Sequence, residues 1–241
     1  MTGRLATRGL KDRYPCQMPI VYLLRHAQSS ANVSGILAGQ DNSVELSKYG
    51  FKQAENLVNT IAMIKPTKIF SSPLLRCIQT IDPYIQSRRK VKTLTDSDLI
   101  EMDYGQWSGR KLSALQKEKN WKKVQKNPAQ FTFPKGESFI NLHARVRKFQ
   151  VKLYGEKGPI LVVSHGDVIK MFLASVAGLE LNSFQKFVIE PGSISAIIIE
   201  KSSSKIISTN NLNFFPIKQL SIKDSLGGGN TLRRKFFGAI K

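Results

Sequence analysis

Apolar residues along the chain fall into short unbroken runs separated by longer stretches with helical spacing. The first run, IVYLL at residues 20–24, is continuous and partly β-branched, as suits a strand buried on both faces. From Phe51, apolar residues recur at Ala54, Leu57, Val58, Ile61 and Ile64, spacings of three and four that predict a helix ended by Pro66. KIFSS (68–72) predicts a second strand. LLRCIQT opens another helix that Pro83 is expected to kink or end, and VKTL predicts a third strand. Phe139, Leu142, Val146, Phe149 and Leu153 mark a further amphipathic helix, punctuated by Gly158 and Pro159. ILVVS (160–164) is the strongest strand signal. VIKMFLASVAGL after it reads as a buried helix, and SISAIIIE (193–200) and KIISTNNL (205–212) as two closing strands joined by the polar turn KSSS. Strands alternating with helices predict an α/β fold: a three-layer α/β/α sandwich around a mostly parallel central sheet. The chain divides into an N-terminal arm (1–19) without apolar periodicity, one domain (20–215), and a basic tail (216–241) expected to be disordered. Met18, just before the first strand, is a second candidate initiator.

Composition narrows the class. The 241 residues are 41% hydrophobic and 22% charged, enough for a packed core and unlike a disordered chain. No apolar run approaches the ~18 residues that span a bilayer, and the first residues lack the apolar segment of a secretory signal. Two cysteines, Cys16 and Cys77, build no disulfide framework, and with three histidines there is no Cys/His zinc spacing. A reducing cytoplasm is the expected setting. Lys plus Arg exceeds Asp plus Glu by 37 to 17, a formal charge of +20. Such an excess attracts anions of every kind but specifies none, and most of it reads as solvated surface. The basic stretch 109–126 is first a solvated helix face and second a contact for an anionic substrate. No nucleic-acid motif is present, and aromatic residues do not interleave with the basic runs.

Ligands of open α/β sheets bind beyond the carboxyl ends of the strands. IVYLL is followed by Arg25 and His26, KIFSS by Arg76 a few residues on, and ILVVS by His165 and Gly166. Two of three histidines at equivalent strand ends, beside two arginines, are hard to explain by packing alone. Arginine presents a planar fork that fits phosphate oxygens, and neutral imidazole is a competent nucleophile. The residues therefore point to phosphoryl transfer through a phosphohistidine, with arginines in place of a metal and no cofactor.

Six ordered segments carry a more specific likeness. LRHAQSSAN resembles LRHGxTxxN, LSKYGFKQA resembles LTxxGxxQA, and SSPLLRCIQT resembles SSPLxRAxQT. LIEMDYGQWSG resembles LxExxxGxWxG, FPKGES resembles PxGES, and VVSHGDVIK resembles a second histidine motif. These are motifs of the histidine phosphatase superfamily in its phosphoglycerate-mutase-like branch, and the likeness runs from about Ile20 to about Leu212, closest to a bacterial phosphatase and probable-phosphomutase subgroup. The resemblance implies that His26 attacks phosphorus, that Arg25 and Arg76 clamp its oxygens, and that His165 binds the same oxygens. It implies Glu101 as the proton donor to the leaving alkoxide and then the base for water, a role that calls for a raised pKa. Asn32 falls at the family's phosphate-pocket asparagine. Gly166 is expected to let a helix N-terminus approach the phosphate. Ala27 and Gln28 depart from the motif's more frequent Gly and Glu, and AGQDNSVELS departs in spacing; none of these removes a catalytic group.

Other readings stand beside these. Asp103 competes with Glu101, Glu137 reads as a structural carboxylate, Ser164 lacks a nucleophile elbow, His143 falls on a helix surface, and Trp107 and Trp121 read as packing or cleft-lining residues. The leading function is a metal-independent phosphomonoester hydrolase for a small phosphorylated metabolite. The first alternative is a phosphoglycerate mutase or other phosphomutase. Family mutases carry a longer insertion where Arg110 to Pro134 is short here, which favours hydrolysis. An alternative of another class is a catalytically idle binding protein for an acidic partner or nucleic acid. Substrate and oligomeric state stay open.

Overall fold

Every apolar run forms a strand and every periodic stretch a helix. The computed structural model describes residues 19–88, 91–201 and 204–213. The expected N-terminal arm, apart from Pro19, and the expected basic tail lie outside these residues. In chain order the main elements are β1 (Ile20–Arg25), α1 (Ser30–Ser34), α2 (Lys48–Ile64), β2 (Lys68–Ser71), α3 (Leu75–Ser87) and β3 (Lys92–Thr95). There follow α4 (Leu112–Leu115), α5 (Trp121–Lys126), α6 (Phe139–Leu153), β4 (Ile160–Ser164), α7 (Gly166–Val176), β5 (Ile194–Ile198) and β6 (Lys205–Asn211). The sheet order is β3-β2-β4-β1-β5-β6. The first four are mutually parallel, and β5 and β6 close the sheet antiparallel.

The pleat sends alternate side chains of each central strand to opposite layers. From β1, Val21 and Leu23 enter the larger core with Phe149 of α6 and Phe172 of α7. Tyr22 and Leu24 enter the other core, with Leu57 and Ile61 of α2 and Cys77 and Ile81 of α3. Strands this thoroughly buried read as continuous apolar runs, because neither face meets water.

Pro83 neither ends α3 nor stops its burial. The helix continues to Ser87, and its buried face of Arg76, Cys77, Thr80, Ile81 and Tyr84 spans the proline. A proline inside a helix costs about 3 kcal/mol, and burial of a large apolar side chain returns about 1.5–3 kcal/mol. Ile81 and Tyr84 together offset the lost hydrogen bond.

Between β3 and α6 the chain makes short helices and turns over the carboxyl end of the sheet. An aromatic cluster holds them. Trp107 and Trp121 stack with centroids 6.2 Å apart and 17° between planes, and Phe133 packs edge-on to Tyr104, Trp107 and Phe131. The lysines of this basic stretch point outward and are exposed, whereas Leu115 and Val124 are buried.

Phe149 is fully buried between Phe70 of β2 and Phe172 of α7. Phe149→Ala is expected to destabilise the domain by about 3–5 kcal/mol, read from the denaturant midpoint with an unchanged m-value.

Candidate active site

The parallel pairing of β1 with β4 builds the centre. Arg25 pairs with Ser164 in register, and the next residue, His26, donates its backbone N–H to the Ser164 carbonyl at 2.9 Å. His26 and His165 therefore leave adjacent strands side by side, with ring centroids 5.2 Å apart. Both are buried.

His26 has a defined tautomer. Its Nδ1 lies 2.7 Å from the Ala27 carbonyl, which can only accept, so Nδ1 carries the proton and Nε2 keeps a free lone pair. Burial, then the Arg25 and Arg76 guanidinium groups, hold its pKa well below the ordinary imidazole value. The Ala27 amide in turn donates to Thr80 Oγ1 of α3 at 2.9 Å. His165 is likewise held neutral, by burial first and then by Arg76, His26 and Arg25. Its Nε2 lies 2.7 Å from Ser72 Oγ, at the end of β2.

The two arginines are tied down by carbonyls rather than carboxylates. Arg76 is 2% exposed and donates to Gly39 O at 2.7 Å and Asp41 O at 3.1 Å. Arg25 donates to Ile189 O at 2.5 Å, and its Nε is buried without a partner. Neutral acceptors orient the forks without cancelling their charge, which leaves a positive field for an anion. Gly166, the first residue of α7, sits against Arg25: a Cβ there would come within 3.4 Å of the guanidinium carbon. That distance is ordinary van der Waals contact, so the glycine opens the helix beside the arginine without being required by it.

Glu101 is 8% exposed in an extended segment before the aromatic cluster. Its carboxyl is pushed up to about 7, chiefly by burial and next by the Asp167 carboxylate. Arg145 of α6 clamps the segment by donating to the carbonyls of Asp98, Ile100 and Glu101, and it pairs with Glu137 at 2.8 Å. Gly105, with φ of +50°, packs where a Cβ would meet Pro134 O at 2.2 Å, so the acid segment can seat on the PKGES turn. Asp103 accepts from the Gly105 amide and stays within this turn.

Asn32 is committed to a local role. Its Oδ1 accepts from the Ser29 amide at 3.0 Å in the capping box of α1, which leaves its amide NH₂ for the cavity it lines. His143 is half-buried on α6 and does not line the cavity. One cavity of about 300 Å³ gathers Arg25, His26, Asn32, Arg76, Glu101 and Gly166. His165 is fully buried and does not itself line the cavity.

The cavity also contains side chains that sequence reasoning missed: Tyr104, Asp167 and Lys170. Tyr104 Oη donates to Asp167 Oδ2 at 2.8 Å, and Lys170 Nζ reaches Asp167 Oδ1 at 3.2 Å. Burial acts to raise the Asp167 carboxyl, but Lys170 and Tyr104 outweigh it and hold it below its usual range. Tyr104 is held well above its ordinary value, by burial and then by Asp167 and Glu101, and remains a donor. Asp167 and Lys170 lie within the quoted VVSHGDVIK segment, so position in that motif was the available signal. Among the described residues, no group of three His, Cys, Asp or Glu side chains is arranged to hold a metal ion.

Residues 21–212 match the family described as the histidine phosphatase superfamily, branch 1. The chain belongs to the histidine phosphatase superfamily. It is 30% identical over 202 residues to a protein of Hydrogenobacter thermophilus named putative phosphoserine phosphatase 2, covering 81% of this chain and 97% of the relative. A probable phosphoglycerate mutase of Proteus mirabilis is 30% identical over 187 residues, 76% of this chain and 86% of the relative. The crystal structure of the alpha-ribazole phosphatase from Shigella flexneri superposes with a TM-score of 0.73 at 27% identity, covering 83% of this chain and all of that one. The phosphatase shares its fold and its histidine-based phosphoryl chemistry with this family.

The raised Glu101 carboxyl carries a stability signature. Its folded pKa, about 7, lies above the unfolded value of 4.5. Its contribution is therefore fully favourable below the unfolded value and is lost as pH rises through the folded one. Glu101→Gln, neutral throughout, is expected to raise the melting temperature relative to the native protein at pH 8 and to lose that advantage near pH 5. Thermal scans at the two pH values read the difference.

Proposed function

We propose that the phosphatase hydrolyses a small phosphomonoester through a phosphohistidine on His26, with water as the final acceptor and without a metal ion. The observation that carries this reading is the state of His26: Nδ1 is committed to the Ala27 carbonyl, and Nε2 is unprotonated between Arg25 and Arg76. The Nε2 lone pair forms the N–P bond as the P–O bond to the alcohol breaks. Arg25 and Arg76 hold the equatorial oxygens, together with neutral His165 and the Asn32 amide, and stabilise their charge. Gly166 brings the start of α7, eleven residues long, to the same anion.

Glu101 passes its proton to the departing alkoxide and becomes the carboxylate. That carboxylate takes a proton from water as the water oxygen attacks phosphorus, and the N–P pair returns to Nε2. Both halves need a carboxyl poised near neutrality, which burial and Asp167 provide at about 7. Hydrolysis is favoured over mutase chemistry by the short Arg110 to Pro134 stretch, which folds as α4, α5 and turns. A binding role alone would leave the tautomer of His26 and the raised carboxyl without a purpose. No helix of the described residues is long and apolar enough to cross a membrane, and a cytoplasmic setting suits the buried free thiol of Cys77.

Phosphate release from a panel of phosphomonoesters in EDTA tests this reading. Activity is expected to persist in chelator and to fall by roughly 10⁴-fold or more in His26→Ala. Unchanged activity in that variant would remove His26 as nucleophile, and loss in EDTA would remove metal independence. With an alkyl phosphate, kcat/KM is expected to fall as pH rises through about 7, where Glu101 loses its proton. Glu101→Gln is expected to lower kcat/KM, which reports the phosphorylation half, by about 10²–10⁴-fold on that substrate and by much less on an aryl phosphate, whose leaving group needs no proton, while kcat falls on both because the base for water is lost.

A further inference from the structure

Phosphoryl transfer leaves the outer half of the cavity unexplained. Beyond Arg25, Arg76 and Glu101, its wall is formed largely by apolar side chains, among them Ile36, Leu37, Leu112, Trp121, Val124 and Phe133. Trp121 is half-buried and backed by the stacked Trp107, so its ring is held in place rather than free to swing away. The neutral polar groups of this half are few. Gln185 is already committed to the Val124 carbonyl at 3.1 Å, and Gln125 stands at the rim.

The charges of the wall are also accounted for. Arg25 and Arg76 face the phosphate position. The other lining cation among the described residues, Lys170, pairs with Asp167 at 3.2 Å, and Asp167 also accepts from Tyr104. The lysines of the neighbouring basic stretch are exposed and do not line the cavity. Among the described residues, a carboxylate on the leaving group would therefore meet Asp167 and Glu101 with no unpaired cation to receive it. An uncharged apolar group would find aromatic and aliphatic contacts instead, in a volume of about 300 Å³, the low end for small-molecule sites.

We propose that the alcohol released by this phosphatase is uncharged and carries a ring-sized apolar group seated against Trp121, Leu112 and Val124, and that phosphorylated carboxylates are poor substrates. The proposal rests on the hydrolase reading above.

Three primary alkyl phosphates with comparable leaving groups separate the possibilities: 2-phenylethyl phosphate, 2-hydroxyethyl phosphate and O-phosphoserine. Their kcat/KM values are measured in EDTA on the full-length protein. The phenylethyl ester is expected to exceed the hydroxyethyl ester by about 10-fold or more, since apolar pockets discriminate by that much per small group. It is expected to exceed phosphoserine by about 100-fold, because the charged carboxylate and ammonium groups would both lose hydration against an apolar wall. In Trp121→Ala the phenylethyl preference over the hydroxyethyl ester is expected to collapse to about 1–3-fold, on the scale of one lost apolar contact. Turnover of the hydroxyethyl ester reports that this variant is folded. Equal or better turnover of phosphoserine, or no phenylethyl preference, would overturn the proposal while leaving the hydrolase reading intact. A preference unchanged in Trp121→Ala would remove Trp121 as its source and overturn the seating. No release from any of the three, with no phosphate transferred to His26, would overturn the hydrolase reading and this proposal together.

Discussion

The parallel pairing of β1 with β4 is the constraint on which the rest of the site depends. It fixes Arg25 opposite Ser164 and sends His26 and His165 out of neighbouring strands at the same level. A slip of one residue in that register would turn every β1 side chain to the opposite layer. Val21 and Leu23 would then exchange cores with Tyr22 and Leu24. The packing of two cores thus specifies the position of His26, the proposed nucleophile. β2 adds to the same arrangement from the other side of β4, where Ser72 meets the imidazole of His165.

A second constraint is electrostatic. Two guanidinium groups are held in a largely buried place without carboxylate partners, and carbonyl oxygens orient them. That arrangement costs desolvation, which the phosphate of the proposed substrate would repay. Burial first, and then the same positive charges, keep both histidines neutral, as the proposed nucleophile requires. These charges also lower the Glu101 carboxyl, but burial and Asp167 act more strongly in the opposite direction. One cluster therefore keeps an imidazole unprotonated and a carboxyl protonated near the same pH. Stability is given up locally for that purpose, as is common where chemistry needs a group away from its usual ionisation range.

Much of this was legible in the sequence because it rests on short-range signals. Doubly buried strands betray themselves as unbroken apolar runs, and the strand-end rule led directly to His26, Arg76 and His165. The extent of α3 was not legible. Local rules see a proline, while the burial of Ile81 and Tyr84 on α2 and the sheet is a tertiary effect. Nor were the contacts among Tyr104, Asp167 and Lys170, which join the acid segment to the first turn of α7 across 63 residues of chain. The apolar face of the α4–α5 region was hidden by its lysines: charge dominates the composition there, but only the fold shows Trp121 and Val124 turned inward. The position of Gly166 beside the Arg25 fork was likewise hidden, because no spacing reveals it.

The most direct test of the account is a rapid-quench search for the covalent intermediate. Glu101→Gln is mixed with an aryl phosphate in EDTA, quenched under alkaline conditions that preserve phosphoramidates, and mapped by peptide mass spectrometry. The account predicts near-stoichiometric phosphate on His26 during turnover, labile to acid and absent in the doubly substituted His26→Ala, Glu101→Gln protein. Steady turnover with no phosphate on His26, or phosphate carried by another residue, would contradict it.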